Sequence, residues 1–179
     1  MRADARRNRE RLIEAARDAF TENGEKASLD DIVKRAGVGP GTLYRHFANR
    51  EDLLGAVYQE GVEGLAAQAE EFAATLPPME ALTAFLRVQV DYAKSKRGLG
   101  VAVKATLDSE GEVLTFCRDT LRGGLGKLLR AAQETGDVRE DVDPAVLLRL
   151  THSVAVGSEN APELAEPMLQ VVVDGLRAR

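Results

Sequence analysis

Apolar residues recur along the chain at helical spacing, and each run is closed by Gly, Asn, Pro or a short polar string. The pattern predicts helices throughout and no strands. Over residues 9–23, Leu12, Ile13, Ala15, Ala16, Ala19 and Phe20 make one inward face, and Asn23-Gly24 ends the helix. Ser28 offers an N-cap oxygen and Asp31 stands three residues on, the capping-box pattern. Leu29, Ile32, Val33 and Ala36 then face inward until Gly37 stops the helix. Gly37-Val38-Gly39 reads as a turn whose glycines can take positive φ while Val38 plugs the angle between helices. Pro40 suits the first position of the next helix, where its missing N–H costs nothing. At about 100° per residue, Leu43 and Phe47 share the inner arc of that helix. Gly41, Thr42, Arg45 and His46 fall on the opposite arc, with Tyr44 at its edge. Asn49 caps the helix that follows, with Asp52 at its third position.

That helix runs from Leu53 to Thr75 on Leu53, Leu54, Val57, Tyr58, Val62, Leu65, Ala69 and Phe72, with Gly55, Gly61 and Gly64 set into it for close packing. Leu76-Pro77-Pro78 closes it, and a further helix reaches Lys96 with Leu82, Phe85, Leu86, Val88, Gln89 and Tyr92 leaning inward. A polar break at 95–98 precedes a short apolar helix over 99–107. Residues 110–135 form a longer one on Leu114, Cys117, Leu121, Leu125, Leu128 and Leu129. Its glycine-rich middle, Arg122 to Gly126, implies either a kink or a close backbone approach. Asp143 caps and Pro144 opens a helix to Val156, and Pro167 limits the last helix to 167–177. Both are apolar over more than one stripe, which points to burial against a second subunit, with the monomer's own core taking part of that surface. The expected fold is all-α, about nine helices: an N-terminal three-helix helix-turn-helix and a C-terminal helical bundle.

Composition refines this picture. Of 179 residues, 44% are apolar and only 4% aromatic, so the core must be mostly Ala, Leu and Val. The net charge of −5 is unevenly spread: residues 1–50 carry 11 Lys/Arg against 8 Asp/Glu, and the rest carry 13 against 21. A basic head on an acidic body suits contact with a polyanion at one end only. Arg2, Arg6 and Arg7 precede the apolar periodicity, either as a solvated, frayed terminus or as a basic arm reaching phosphates or the minor groove. The first residues lack the apolar segment of a signal peptide, and no apolar run approaches the roughly 18 residues of a membrane span. With Cys117 the only cysteine, no intrachain disulfide can form. A cytoplasmic protein is expected, with no membrane association.

Candidate chemistry is narrow. The glycine string from Gly37 follows a helix, lacks a P-loop lysine, and is better explained as a turn. His46, His152 and Cys117 make no metal-spaced set, and no nucleophile has a base in sequence context, so neither metal, cofactor nor enzyme activity is expected. His152 reads first as a satisfied interior histidine and Cys117 as a small core residue. Phe72, Phe85, Tyr92 and Phe116 read first as core; with His152 they are the side chains available to line a ligand pocket.

The outer arc after Pro40 is different. Gly41 lets a partner approach closely, Thr42 carries a methyl and a hydroxyl, and Arg45 and His46 donate hydrogen bonds, which are tools for base edges and phosphates. Arg50, in a helix's first turn, is disfavoured by the helix dipole: either a phosphate there offsets that, or it is a solvated arginine at negligible cost, with Glu51 and Asp52 beside it. Residues 9–54, through AFTENG, SLDDIVKRAGV and GTLYRHFANREDLL, resemble the DNA-binding domain of the TetR family of bacterial transcription regulators. GDVREDVDP, from Gly136, is similar to the loop before the family's dimerisation helices.

The resemblance implies a homodimer that pairs through its last two helices, sets a recognition helix in each of two major grooves, and releases DNA when a small ligand binds its C-terminal domain. It divides the chain into a DNA-binding domain, 1–52, and a ligand-binding and dimerisation domain, 53–179. By position, Ser28, Thr42, Tyr44, His46 and Arg50 match places that meet DNA, with Tyr44 and Arg50 on phosphates. Gly41, Thr42 and Arg45 are then the candidates for reading bases. The function expected is a repressor of a palindromic operator, released by an unidentified small molecule. The alternative is an effector-independent structural or protein-recruiting DNA-binding module.

Overall fold

The computed structural model describes residues 2–178. Nine α-helices account for most of them: α1 (Arg2–Asn23), α2 (Leu29–Ala36), α3 (Pro40–His46), α4 (Arg50–Thr75), α5 (Pro78–Ser95), α6 (Arg97–Thr106), α7 (Glu112–Glu134), α8 (Pro144–Gly157) and α9 (Ala165–Leu176). Short 3-10 turns lie at Gly24–Lys26 and Pro162–Leu164. Among the described residues there is no strand, as the apolar periodicity predicts.

The helices form two compact units. The first contains the chain up to Gly61 together with Lys96–Cys117, and the second contains Val62–Ser95 and the chain from Arg118 onward. α6 therefore belongs with α1–α3 and the start of α4, although it lies some fifty residues beyond them (residue 97 against 46).

Two elements differ from expectation, and in a third one of two alternatives is realised. α1 starts at Arg2, so Arg6 and Arg7 ride on a helix and are not a frayed terminus; Met1 lies outside the described residues. No Gly or Pro interrupts residues 2–12, Asp4 sits in the first turn, and Arg6 pairs with Glu10 one turn on at 3.5 Å. α9 begins at Ala165, two residues before Pro167, because a proline in the first turn forfeits an N–H that has no intrahelical partner. α7 runs unbroken through Arg122–Gly126, and of the two readings the close approach is the one realised. A Cβ at Gly124 would stand 3.3 Å from the Ala69 Cβ, and one at Gly126 would stand 3.5 Å from the Pro144 ring.

The first unit buries Leu12, Ala16 and Phe20 of α1, Ile32 of α2, Leu43 of α3, and Leu53, Leu54 and Val57 of α4. Leu99, Ala102 and Val103 of α6 join the same cluster. Contact is closest at Gly98, where a Cβ would lie 2.2 Å from the Thr21 carbonyl oxygen and 2.7 Å from that of Phe20. The 95–98 break is thus also a weld, since only glycine lets the start of α6 rest on the last turn of α1.

The second unit buries Leu82, Phe85 and Leu86 of α5, Leu125, Leu128 and Leu129 of α7, Leu147 of α8, and Leu169 and Val173 of α9. Its closing loop is pinned by backbone hydrogen bonds, Arg139 N–H to Leu176 O at 2.9 Å and Ala178 N–H to Asp137 O at 3.2 Å. Asp143 caps α8 as its position predicts, accepting from the N–H groups of Ala145 and Val146.

Candidate nucleic-acid interface

The geometry begins at the end of α2. Gly37 takes the left-handed conformation at φ 62°, and the N–H groups of Gly37 and Val38 close onto Lys34 O and Val33 O at 3.1 and 3.2 Å. Gly39 needs no such freedom: at φ −79° it is extended and serves as N-cap of α3. Val38 packs, half-buried, against the core of the first unit.

On α3 the inner arc is as predicted, with Leu43 at 2% exposure and Phe47, just beyond the helix, at 4%. Gly41 and Arg45 are exposed, Tyr44 is 59% exposed despite its ring, and Thr42 and His46 are half-buried. A Cβ at Gly41 would meet no heavy atom within 4 Å. A large aromatic left in water beside a bare glycine and an arginine has no role in packing the fold. Ser28 is also exposed, at the start of α2.

The capping box at Ser28 does not form: the residue has N-cap backbone geometry but makes no side-chain cap hydrogen bond. Its would-be partner, Asp31, binds Arg35 at 2.7 Å instead, and Glu22 holds the same guanidinium at 2.8 Å. The hydrogen bond to Glu22, and then the charges of Asp31 and Glu22, raise the Arg35 pKa against a smaller opposing effect of burial. At α4 the cap forms: Asn49 Oδ1 accepts from Asp52 N–H at 2.7 Å, while Asp52 Oδ2 reaches back past the cap to accept from Ala48 N–H at 3.2 Å.

Arg50 stands apart from the α3 arc. Its guanidinium stacks on Phe20, 4.9 Å from the ring centroid, and donates to the carbonyls of Ala27 and of Glu25, the latter at 2.8 Å. The side chain thus braces the start of α4 against the connection between α1 and α2. Its sequence signal, a cation in a helix's first turn, has a partner within the protein: a carbonyl-rich turn.

Two basic residues went unnoticed in the sequence. The Arg9 guanidinium lies 5.5 Å from the Phe47 ring centroid, and an Arg11 terminal nitrogen lies 2.6 Å from where a Gly37 Cβ would be. Both belong to α1, yet they flank the two ends of the turn-and-α3 segment. Their place at the edge of the Leu12–Ile13 face was the available signal.

Of the side chains considered for a ligand pocket, three share the core of the second unit and two lie apart from it. Phe85 is fully buried in the second unit's core, and Phe72 and Tyr92 pack against it half-buried. His152 is exposed, which corrects the reading of it as an interior histidine: α8 turns Leu147, Thr151, Val154 and Ala155 inward and leaves the arc of His152 and Ser153 outside. Phe116 is 44% exposed and belongs to the first unit, so it is no part of the second unit's core. Among the described residues, no cluster of three or more His, Cys, Asp or Glu could hold a metal ion, and no helix is long and apolar enough to cross a membrane.

Comparison with known proteins places this geometry. Residues 12–57 match the model for bacterial regulatory proteins of the tetR family, and residues 77–178 match that for the C-terminal domain of SbtR-like transcriptional regulators. The HTH-type transcriptional regulator UidR of Escherichia coli K12 is 29% identical over 99% of this chain and 93% of its own. The TetR transcription regulatory protein of Mycobacterium vanbaalenii is 38% identical, covers 99% of each chain and superimposes with a TM-score of 0.78. FadR of Bacillus subtilis, solved in complex with stearoyl-CoA, shares the fold at 20% identity, with a TM-score of 0.73 over 94% of this chain and 99% of that one. A helix-turn-helix with an unpacked outer arc, in a chain matched almost from end to end by transcriptional regulators, identifies this protein as a DNA-binding member of the TetR family.

Proposed function

We propose that the protein is a homodimeric repressor that holds a near-palindromic operator through α3 and its flanks and lets go when a small molecule binds the second unit. The observation that carries this reading is the outer arc of α3: Gly41, Tyr44 and Arg45 are exposed on a helix that turns only Leu43 fully into the core. In this reading Gly41, Thr42 and Arg45 face base edges, while Ser28, Tyr44 and His46 fix the backbone. Arg50 braces first. Its guanidinium has five N–H donors, so a phosphate contact is compatible with the two carbonyls it already serves.

Dimerisation is supported by apolar side chains that the single chain leaves in water. Val146 and Leu150, one turn apart on α8, are 54% and 44% exposed, and Val171 on α9 is 74% exposed. Such surface on two adjacent helices suits a self-complementary contact with a second copy. Effector control is supported by family membership and by the stearoyl-CoA complex of FadR.

The test is operator selection from random DNA with the wild-type protein, followed by binding titrations of variants. Tyr44→Ala is expected to weaken binding to every sequence. Arg45→Ala is expected to relax preference at one position of each half-site, by about 1–3 kcal/mol for a bidentate base contact. Unchanged binding by both variants would remove α3 from the interface. Sedimentation of the free protein as a monomer would refute the dimer, and a selected site that no metabolite panel releases would favour the effector-independent module.

A further inference from the structure

Three buried residues of the second unit are polar: Gln89 on α5 and Thr151 and Ser158 on α8. The two hydroxyls are accounted for, Thr151 donating to Leu147 O at 2.9 Å and Ser158 to Val154 O at 2.8 Å, one turn back on their own helix. Gln89 is not. It is 7% exposed, and neither its Oε1 nor its Nε2 has a hydrogen-bond partner. A buried carboxamide with both ends unmet is among the costlier features a core can carry, and native structures rarely keep one without a reason.

Its neighbourhood limits what could meet it. One turn to either side on the same face of α5 stand Phe85 and Leu86, then Tyr92, all in or against the unit's apolar core. No charged side chain is buried among the described residues. An ionised ligand group entering here would lose its hydration with no counter-charge to replace it, a far larger cost than for a neutral one. A carboxamide, in turn, presents a donor and an acceptor side by side, and both are met at once by a group that presents the same pair in reverse.

We infer that Gln89 is the polar anchor of the effector site, and that the effector is a small, largely apolar, uncharged molecule carrying an adjacent donor and acceptor, as a primary amide or an N-unsubstituted lactam does. The inference rests on the proposed effector control and adds its chemistry. Carboxylic acids are disfavoured because they are ionised at neutral pH, and ketones and N-alkylated amides because they leave the Gln89 oxygen unmet. The apolar core around it suits an apolar body better than a charged or heavily hydroxylated one.

The experiment uses the full chain and a graded set of probes: valerolactam, caprolactam and cyclohexanecarboxamide, against cycloheptanone and N-methylcaprolactam as acceptor-only shape controls. Binding is read by thermal shift and calorimetry on the wild type and on Gln89→Leu and Gln89→Met. At least one lactam or amide is expected to bind the wild type, its acceptor-only control at least roughly tenfold more weakly, and both variants with a similar loss. Both variants should melt at or above the wild-type temperature, since each removes an unmet amide. Equal binding of the probes by wild type and variants, or variants that melt well below the wild type, would overturn the inference. So would a protein that ignores every amide and lactam, including one in which a bound water alone serves Gln89. A separate screen for operator release keeps the two readings distinguishable. A releasing compound of other chemistry, equally effective on the Gln89 variants, sinks the anchor and leaves effector control standing, whereas no release by any compound sinks both.

Discussion

Replacing Gly98 by alanine probes the contact that makes α6 part of the first unit. In most helices this change is favourable, since Ala exceeds Gly by about 1 kcal/mol in helix propensity. Here the new methyl would sit 2.2 Å from the Thr21 carbonyl oxygen and 2.7 Å from that of Phe20, where ordinary contact begins at about 3.4 Å. Both obstacles are backbone atoms of α1, so no side chain can swing away. α6 must back off by about 1 Å, which opens the seam that Leu99, Ala102 and Val103 seal. Overpacking of this kind costs about 1–3 kcal/mol and the propensity gain offsets about 1 kcal/mol of it, leaving a net loss of up to about 2 kcal/mol. Gly100 supplies the internal control. It lies two residues further along α6, and a Cβ there meets nothing within 4 Å, so Gly100→Ala should gain about 0.5–1 kcal/mol. Urea unfolding with matched m values, checked by thermal melts at about 2–4 °C per kcal/mol for a chain of this size, would read the pair. Equal effects of the two substitutions, or a stabilising Gly98→Ala, would refute the close approach of α6 to α1.

Arg50→Ala should cost about 1–3 kcal/mol, because it unmakes two charge-assisted hydrogen bonds to carbonyls and the stack on Phe20; Arg50→Lys should recover only part, since an ammonium cannot fork between two carbonyls while lying flat on a ring. A thermal melt decides this, and full rescue by lysine would contradict the brace. Asp143→Ala should cost about 1 kcal/mol by uncapping α8, and Asp143→Asn should retain most of it, as read by urea unfolding. The hydrogen bond from Arg87, and then its charge, lower the Glu166 pKa against a smaller effect of burial. A carboxylate lowered on folding contributes stability above its ordinary range and loses it as pH falls through the folded value. The pair is half-exposed, so Glu166→Gln should flatten the acid limb of the stability–pH curve by no more than a fraction of about 1 kcal/mol.

What the sequence made legible and what it hid separate along a physical line. The inner and outer arcs of α3 could be read from spacing alone, because a helix's period converts position directly into direction. The caps at Asn49 and Asp143 were legible for the same reason, each acting within three residues of itself. Arg50, Gly98 and Arg11 were not, because their partners lie 23 or more residues away and nothing local distinguishes a guanidinium that faces water from one that faces a carbonyl. Ser28 failed as a capping box although its pattern was right, since Asp31 had a stronger partner in Arg35, itself held by Glu22 from another helix. His152 was misjudged because a helix apolar over much of its circumference gives no inner face to reason from, and part of that apolar surface, at Val146 and Leu150, stays exposed with it.

Two of these long-range contacts, those of Arg50 and Gly98, meet at one place. The 3-10 turn Gly24–Lys26, only three residues long, is approached from one side by Gly98, whose carbonyl oxygen lies 3.4 Å from where a Gly24 Cβ would be, and from another by Arg50, which holds the Glu25 and Ala27 carbonyls. Gly24 itself is held at φ 55°, a conformation that admits a side chain only with strain. The start of α4 and the start of α6 therefore share one short backbone segment as their common support, and neither can shift while keeping its hydrogen bonds or its packing unless that segment shifts too. α2 follows the turn directly, and α3 follows α2 across a single left-handed glycine. The orientation of the outer arc of α3, the surface proposed to meet DNA, is thus set less by α3, which is seven residues long, than by how α4 and α6 seat on the turn before α2.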